Sequence, residues 1–166
     1  MALMLWRLVT LLLAALSMAV TFCHVMAMPV RLSWEPALWL QTTVLGGLYR
    51  FFGSVGPIVD VGAIVASFVL VWLLIGRRSA RYFAIAGTAL LALALAVWFM
   101  VVAPMNTVMG SWSTEFVPPD FEAVRQRWEW GHAGIAAIKV AGFVALLLSV
   151  LIDTRRVQPE AETLAP

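Results

Sequence analysis

The chain is poor in nearly everything that polar chemistry or a water-facing surface needs. Of its 166 residues only 12% are charged, and there are two histidines, two tyrosines and one cysteine, Cys23. A single cysteine excludes an intrachain disulfide framework and a cysteine-rich metal site, and Cys23 reads as a small buried residue of an apolar helix. No phosphate loop, nucleophile elbow or HExxH zinc motif occurs. Internal repeats and paired broken helices of the transporter kind are missing too. A net charge of +2 and a pI near 9.2 come from arginines at the ends of apolar runs, so nucleic acid is excluded as a partner.

What the chain has in excess is apolar residues, 63% of the total, with a mean hydropathy of +0.94. Those values define a membrane protein whose first partner is the lipid bilayer. Four apolar runs, 8–28, 58–75, 82–103 and 131–152, each approach the roughly 20 residues that cross a hydrocarbon core. The expected fold is all-α, a four-transmembrane-helix bundle forming one domain over 1–166, with a flexible cytoplasmic tail at 153–166. The long connection between the first two runs contains Pro29, Pro36, Gly46, Gly47, Gly53, Gly56 and Pro57. Within it Ser33 reads as a helix N-cap, and Leu38, Leu45, Tyr49 and Phe52 recur at helical spacing opposite Gln41, Thr42 and Arg50. That pattern predicts an interfacial helix over the mouth of the bundle.

Arg7, Arg77, Arg78, Arg81, Arg155 and Arg156 fall on one side of such a bundle, and Arg31, Arg50, Arg125 and Arg127 on the other. The positive-inside rule then puts both termini in the cytoplasm of a multi-pass protein of the cell membrane, in a bacterium the cytoplasmic membrane. A competing reading makes 1–27 a cleaved signal peptide, with Arg7, an apolar core and Val25-Met26-Ala27 as its three regions.

With this topology His24, Asp60, Asn106 and His132 lie at the outer ends of the spans. Lys139, seven residues past His132, sits roughly 10 Å deeper on nearly the same helix face. Ionisable groups in a membrane segment usually face a bundle interior or a wet cavity, so these polar groups converge on one candidate pocket. An alanine stripe, Ala133, Ala137 and Ala141, offers a small face for close helix packing. Duller roles stand beside these. Asp120 suits an N-cap, Asp60 a carboxylate at a helix start, Lys139 a snorkelling cation, and Asn106 a helix terminus. Five tryptophans, Trp34, Trp39, Trp112, Trp128 and Trp130, fit an aromatic belt, or in part a flat ligand site.

The run "APMNTVMGSW" followed by "PPDFEAVRQRWEWGH" resembles the signature of the anthrone-oxygenase-like family, small four-span membrane proteins largely grouped as a domain of unknown function. The matching positions are Pro104, Asn106, Trp112, Asp120, Arg127, Trp128 and His132, with Phe22 and Pro29 near the end of the first span. Many members carry an arginine three residues after the histidine, where this chain has Ile135; Lys139, one turn on, can supply the cation instead.

The resemblance implies an oxygenase that needs neither metal nor flavin, with O2 as co-substrate and a hydrophobic aromatic small molecule as ligand. A base removes an acidic C–H proton and the electron-rich anion reacts with oxygen. His132 is the expected base, with Asp120 or Asp60 as orienting carboxylate. Lys139, Arg127 and Asn106 are candidates for the anion, and Trp128 and Trp112 for ring stacking, with His24 beside them. Two other classes remain. His24 and His132 could ligate a haem, or with Asp60 an iron ion. The chain could also be a non-catalytic scaffold whose polar cluster fixes helix register.

Overall fold

The computed structural model describes the backbone of residues 1–113 and 116–162, and the side chains of these residues except 48–50 and 154–162. The described residues form six α-helices: α1 (Ala2–Leu32), α2 (Pro36–Trp39), α3 (Leu48–Leu73), α4 (Arg78–Val97), α5 (Ala103–Met109) and α6 (Phe121–Glu162). A π-helical turn, Leu40–Leu45, follows α2, and a second, Trp98–Val102, joins α4 to α5. Among the described residues four segments, Ala2–Leu32, Phe51–Leu73, Arg78–Met109 and Phe121–Asp153, are long and apolar enough to cross a membrane.

The spans are longer than the apolar runs implied, because two prolines expected to punctuate a loop lie inside helices. Pro29 is in α1 and Pro57 in α3. A proline removes one backbone donor and crowds the carbonyl four residues back, a defect that packed apolar helices tolerate. Two consequences follow. Ser33 is the C-cap of α1 instead of an N-cap, its hydroxyl donating to the Val30 carbonyl at 2.8 Å, and Glu35 precedes Pro36 at the start of α2. Asp60 sits three turns into α3 and away from the helix start. Pro104 explains the other irregularity: it has no N–H for the carbonyl four residues back, and the chain widens into the π-helical turn just before it.

The helices pack in a closed order, α1 beside α3 and α6, and α4 beside the same two. Burial follows a seven-residue repeat. In α1 the buried positions are Thr10, Ala14, Ser17, Thr21, His24, Met28 and Arg31; in α4 they are Ala80, Ala84, Gly87, Leu91 and Ala94. Steps of four and three residues keep one narrow stripe facing its neighbours in left-handed packing. The α1 stripe is mostly small or polar, as suits helix association where apolar side chains gain little from leaving lipid. Helices α4 and α6 approach closely at Gly87 and Gly142: a Cβ on Gly87 would lie 2.7 Å from Leu146 Cγ and 2.9 Å from the Gly142 carbonyl oxygen. The expected alanine stripe does not perform this role, since Ala137 and Ala141 face outward.

Cys23 also faces outward, contrary to expectation, because it is one position off the buried stripe. At the end of the bundle holding Arg7, Asp153 accepts from Arg7 and from Arg77, the latter at 2.6 Å. The opposite end is roofed by the segment 36–45, with Trp39, Leu40 and Thr43 buried against α6 and α5 while Leu38 and Leu45 point outward. The proposed interfacial pattern also used Tyr49 and Arg50, whose side chains lie outside the described residues. Of the tail, the backbone is helical to Glu162, and 163–166 lie outside the described residues.

Candidate functional site

The site is built upward from an ion pair. Lys139 Nζ donates to Asp60 Oδ1 at 2.7 Å, to Thr21 Oγ1 at 2.8 Å and to the Ser17 carbonyl at 3.2 Å. Three donors meet three acceptors, so the ammonium is saturated where snorkelling would have left it reaching for the surface. Ser17 Oγ donates to the same Asp60 oxygen at 2.6 Å. Three helices meet here. Asp60 reaches this place because Pro57 does not end its helix.

One turn and more toward the roof, His24 of α1 and His132 of α6 stack face to face, with ring centroids 4.0 Å apart and planes 4° from parallel. Trp128, four residues before His132 and so on the same face, presents its edge geometry to both rings at 5.3 and 4.5 Å. Its indole N–H donates to Asn106 Oδ1 at 2.8 Å, which fixes α5 against α6. Phe52 approaches His24 edge-on at 5.8 Å. An aromatic frame thus holds the His132 ring in one orientation.

Behind the tryptophan lies a second charged pair. Arg31 forms a two-pronged bond with Glu129, Nε to Oε1 at 2.8 Å, and also donates to the His24 carbonyl at 3.0 Å. The Trp39 indole adds a bond to Glu129 Oε1 at 3.2 Å, and the guanidinium carbon sits 5.4 Å from the Trp128 ring centre. Both side chains are almost wholly buried, 1% and 0% exposed. Neither had been singled out for a site. The available signal was Glu129, three residues before His132 and therefore on its face.

Between these groups and α3 lies a cavity of about 420 Å³ whose lining includes His24, Asp60, Asn106, Trp128, His132 and Lys139. That size lies within the range of small-molecule sites. Two lining groups hold an unused polar atom among the described residues: His132 Nδ1 and Thr43 Oγ1 are buried without a hydrogen-bond partner. His132 is only 7% exposed and Thr43 2%. Buried polar atoms left unpaired in this way are uncommon.

Three expected site residues are elsewhere. Asp120 is exposed just ahead of α6, its carbonyl accepting from Val124 N, three turns from His132. Arg127 is exposed because it stands one position, about 100° of helix, from Trp128. Trp112 packs at a tilt on Phe121, 5.6 Å between centroids, in the core beneath the roof. Among the described residues no carboxylate bonds to His132: Asp60 is held by Lys139 and Ser17, and an imidazole, His24, occupies the neighbouring place. Trp39 and Trp128 are buried inside the bundle and so form no part of a belt, whereas Trp130 is exposed. Ile135 is buried in the apolar core beside Ala94 and Trp128, so no cation stands where the resemblance has its arginine.

The donor set does not fit a haem held by both histidines, since rings stacked in parallel cannot offer nitrogens to one iron from opposite sides. Among the described residues no three of His, Cys, Asp or Glu gather as metal ligands. Comparison of the chain with protein-family models, with curated proteins and with solved structures gives no match.

Proposed function

We propose that the chain is a multi-pass protein of a bacterial cytoplasmic membrane, both termini cytoplasmic, in which segment 36–45 lies at the outer interface as a roof over the cavity. On this reading the cavity takes a polycyclic phenol or anthrone-type compound, and His132 starts its oxygenation without a metal or flavin. The observation that carries the reading is His132, buried and stacked on His24, in the lining of a cavity that Phe52, Trp98 and Trp128 also line.

The chemistry asks little of the protein. A CH2 activated by a carbonyl across an aromatic ring gives up a proton to His132, leaving an enolate. Electron transfer to O2 and recombination form a carbon-bound peroxide, which takes back the proton held by His132; loss of the second C–H proton together with hydroxide, one water in all, turns the CH2 into C=O. One oxygen atom stays in the product and the other leaves as water. On this reading the amide of Asn106, in the cavity lining, stabilises the enolate oxygen. Lys139, all three donors occupied, contributes charge rather than a direct bond. Trp128, in the cavity lining, is the stacking partner of the ligand rings on this reading.

The test is oxygen uptake with an anthrone-type substrate by purified protein. Alanine at His132 is expected to lower the rate on the order of 10²–10⁴-fold. Unchanged uptake would end the proposal. The scaffold alternative draws its support from Arg31 and Glu129, which are saturated and lie outside the cavity lining; it requires that substitution of His132 change stability while no small aromatic binds.

A further inference from the structure

The end of the bundle that holds Arg7 carries more positive charge than the chain itself can match there. By chain order it gathers six arginines against three acidic residues, Asp153, Glu160 and Glu162, so three positive charges remain even when every acid of the tail is counted. The roofed end is the reverse, with four arginines against five acids, Glu35, Glu115, Asp120, Glu122 and Glu129. An anionic partner therefore suits the first end and not the second.

Within that end the arginines are used unequally. Asp153 accepts from both Arg7 and Arg77. Arg78 and Arg81 take part in no ion pair or side-chain hydrogen bond among the described residues. Standing three residues apart at the start of α4, they are neighbours on the helix surface, where two like charges repel unless an anion lies between them. Arg78 is exposed and Arg81 half-buried.

The surface that continues from them is apolar. Tyr82, Ile85 and Ala89 follow Arg78 at steps of four, three and four, which makes one helix face, and all three are exposed. Tyr82 is 70% exposed, and Trp72, close to the end of α3, is 67% exposed. Exposed tyrosine and tryptophan at the ends of apolar helices mark the level where headgroups meet hydrocarbon. The segment Arg78–Met109 is long and apolar enough to cross a membrane, so its first turn stands at headgroup level and Ile85 and Ala89 stand among acyl chains.

From this arrangement we infer that Arg78 and Arg81 form a site for one anionic phospholipid, its phosphate between the two guanidiniums and its acyl chains along Ile85 and Ala89. Guanidinium forks match phosphate oxygens, and each basic side chain at a membrane surface adds attraction to a lipid of net negative charge. A zwitterionic head brings its own cation and gains less. A soluble phosphate offers the same anion but forgoes the apolar contact below it. The site lies on a different helix from the histidines and is independent of any reaction in the cavity.

The test counts the lipid that the full chain retains when purified from detergent micelles holding equal amounts of phosphatidylglycerol and phosphatidylcholine with identical acyl chains, read by native mass spectrometry. Wild-type protein is expected to retain the anionic lipid in preference, on the order of tenfold. The double variant Arg78→Gln, Arg81→Gln should bring the two lipids to within about twofold of each other. Two single variants separate a site from a diffuse field. Arg78→Gln is expected to lower the preference about fivefold, whereas Arg77→Gln, which removes the same charge from a residue that Asp153 already matches, should lower it less than about twofold. Equal losses in these two, no preference in the wild type, or a preference that survives in the double variant would each overturn the inference.

Excess glycerol phosphate, with ionic strength matched by chloride, identifies the source of the anion. It is expected to leave most of the retained lipid in place; complete displacement would make a soluble phosphate the ligand and overturn the lipid. Should the double variant fail to fold, thermal unfolding of the wild type in nanodiscs is an independent readout. Replacing part of the phosphatidylcholine by phosphatidylglycerol should raise the midpoint, and added salt should reduce the rise. A midpoint indifferent to the anionic lipid, or a rise indifferent to salt, would contradict a charge-held headgroup.

Discussion

Two buried ion pairs occupy the half of the bundle that holds the histidines, and their surroundings are opposite. Arg31 and Glu129 are sealed, with two bonds between them and further bonds to Trp39 and the His24 backbone, and neither touches the cavity. Lys139 and Asp60 also satisfy each other, yet both line the cavity, Asp60 with 13% of its side chain exposed. The first pair fixes where α1, α6 and the roof sit. The second fixes a floor beneath groups that keep unused polar atoms. The first pair is saturated and enclosed, whereas the second borders the cavity that the proposed ligand would occupy.

Breaking the sealed pair should have the largest effect on stability. Glu129→Ala leaves a buried guanidinium without its carboxylate and is expected to cost about 3–5 kcal/mol. The readout is thermal unfolding in detergent, and a loss under 1 kcal/mol would show that water reaches the pair. Lys139→Met should cost less, about 1–3 kcal/mol, because Asp60 keeps Ser17 and borders the cavity. Adding Asp60→Leu to it sharpens the contrast. The double variant should regain most of the lost stability while ligand binding stays impaired, whereas a purely structural pair would regain both.

His132→Phe preserves a flat ring against His24 and removes only the nitrogens. Stability within about 1 kcal/mol of wild type, with oxygen uptake abolished, is the expected split. The smallest effect belongs to the far end. Arg77 is 45% exposed and Asp153 retains Arg7 when it is gone, so Arg77→Ala should change stability by under about 1 kcal/mol. A larger loss would make that end, rather than the sealed pair, the anchor of the bundle.

The four spans were legible because a 20-residue apolar run admits few other uses, and the shared face of His132 and Lys139 followed from helical period. Helix phase also decided what went wrong. Trp128 enters the cavity and Arg127, one residue away, does not. Arg31 was counted only as a topological marker, although in α1 it continues the stripe of Ser17, Thr21 and His24 at steps of seven and four. That repeat was present in the sequence, and reading span one by its polar positions would have found it. The role of Gly87 and Gly142 was hidden for a different reason: close approach depends on two helices at once, and neither glycine announces its partner.

The most direct test of the central claim is single-turnover oxygen uptake with an anthrone-type substrate already bound, comparing wild type with His132→Phe in the same nanodiscs. The expected result is uptake of one O2 per bound substrate by the wild type, and background uptake by the variant despite an affinity within about threefold of wild type. Equal uptake by the two proteins would contradict the assignment of His132 as the base and, with it, the catalytic reading of the cavity.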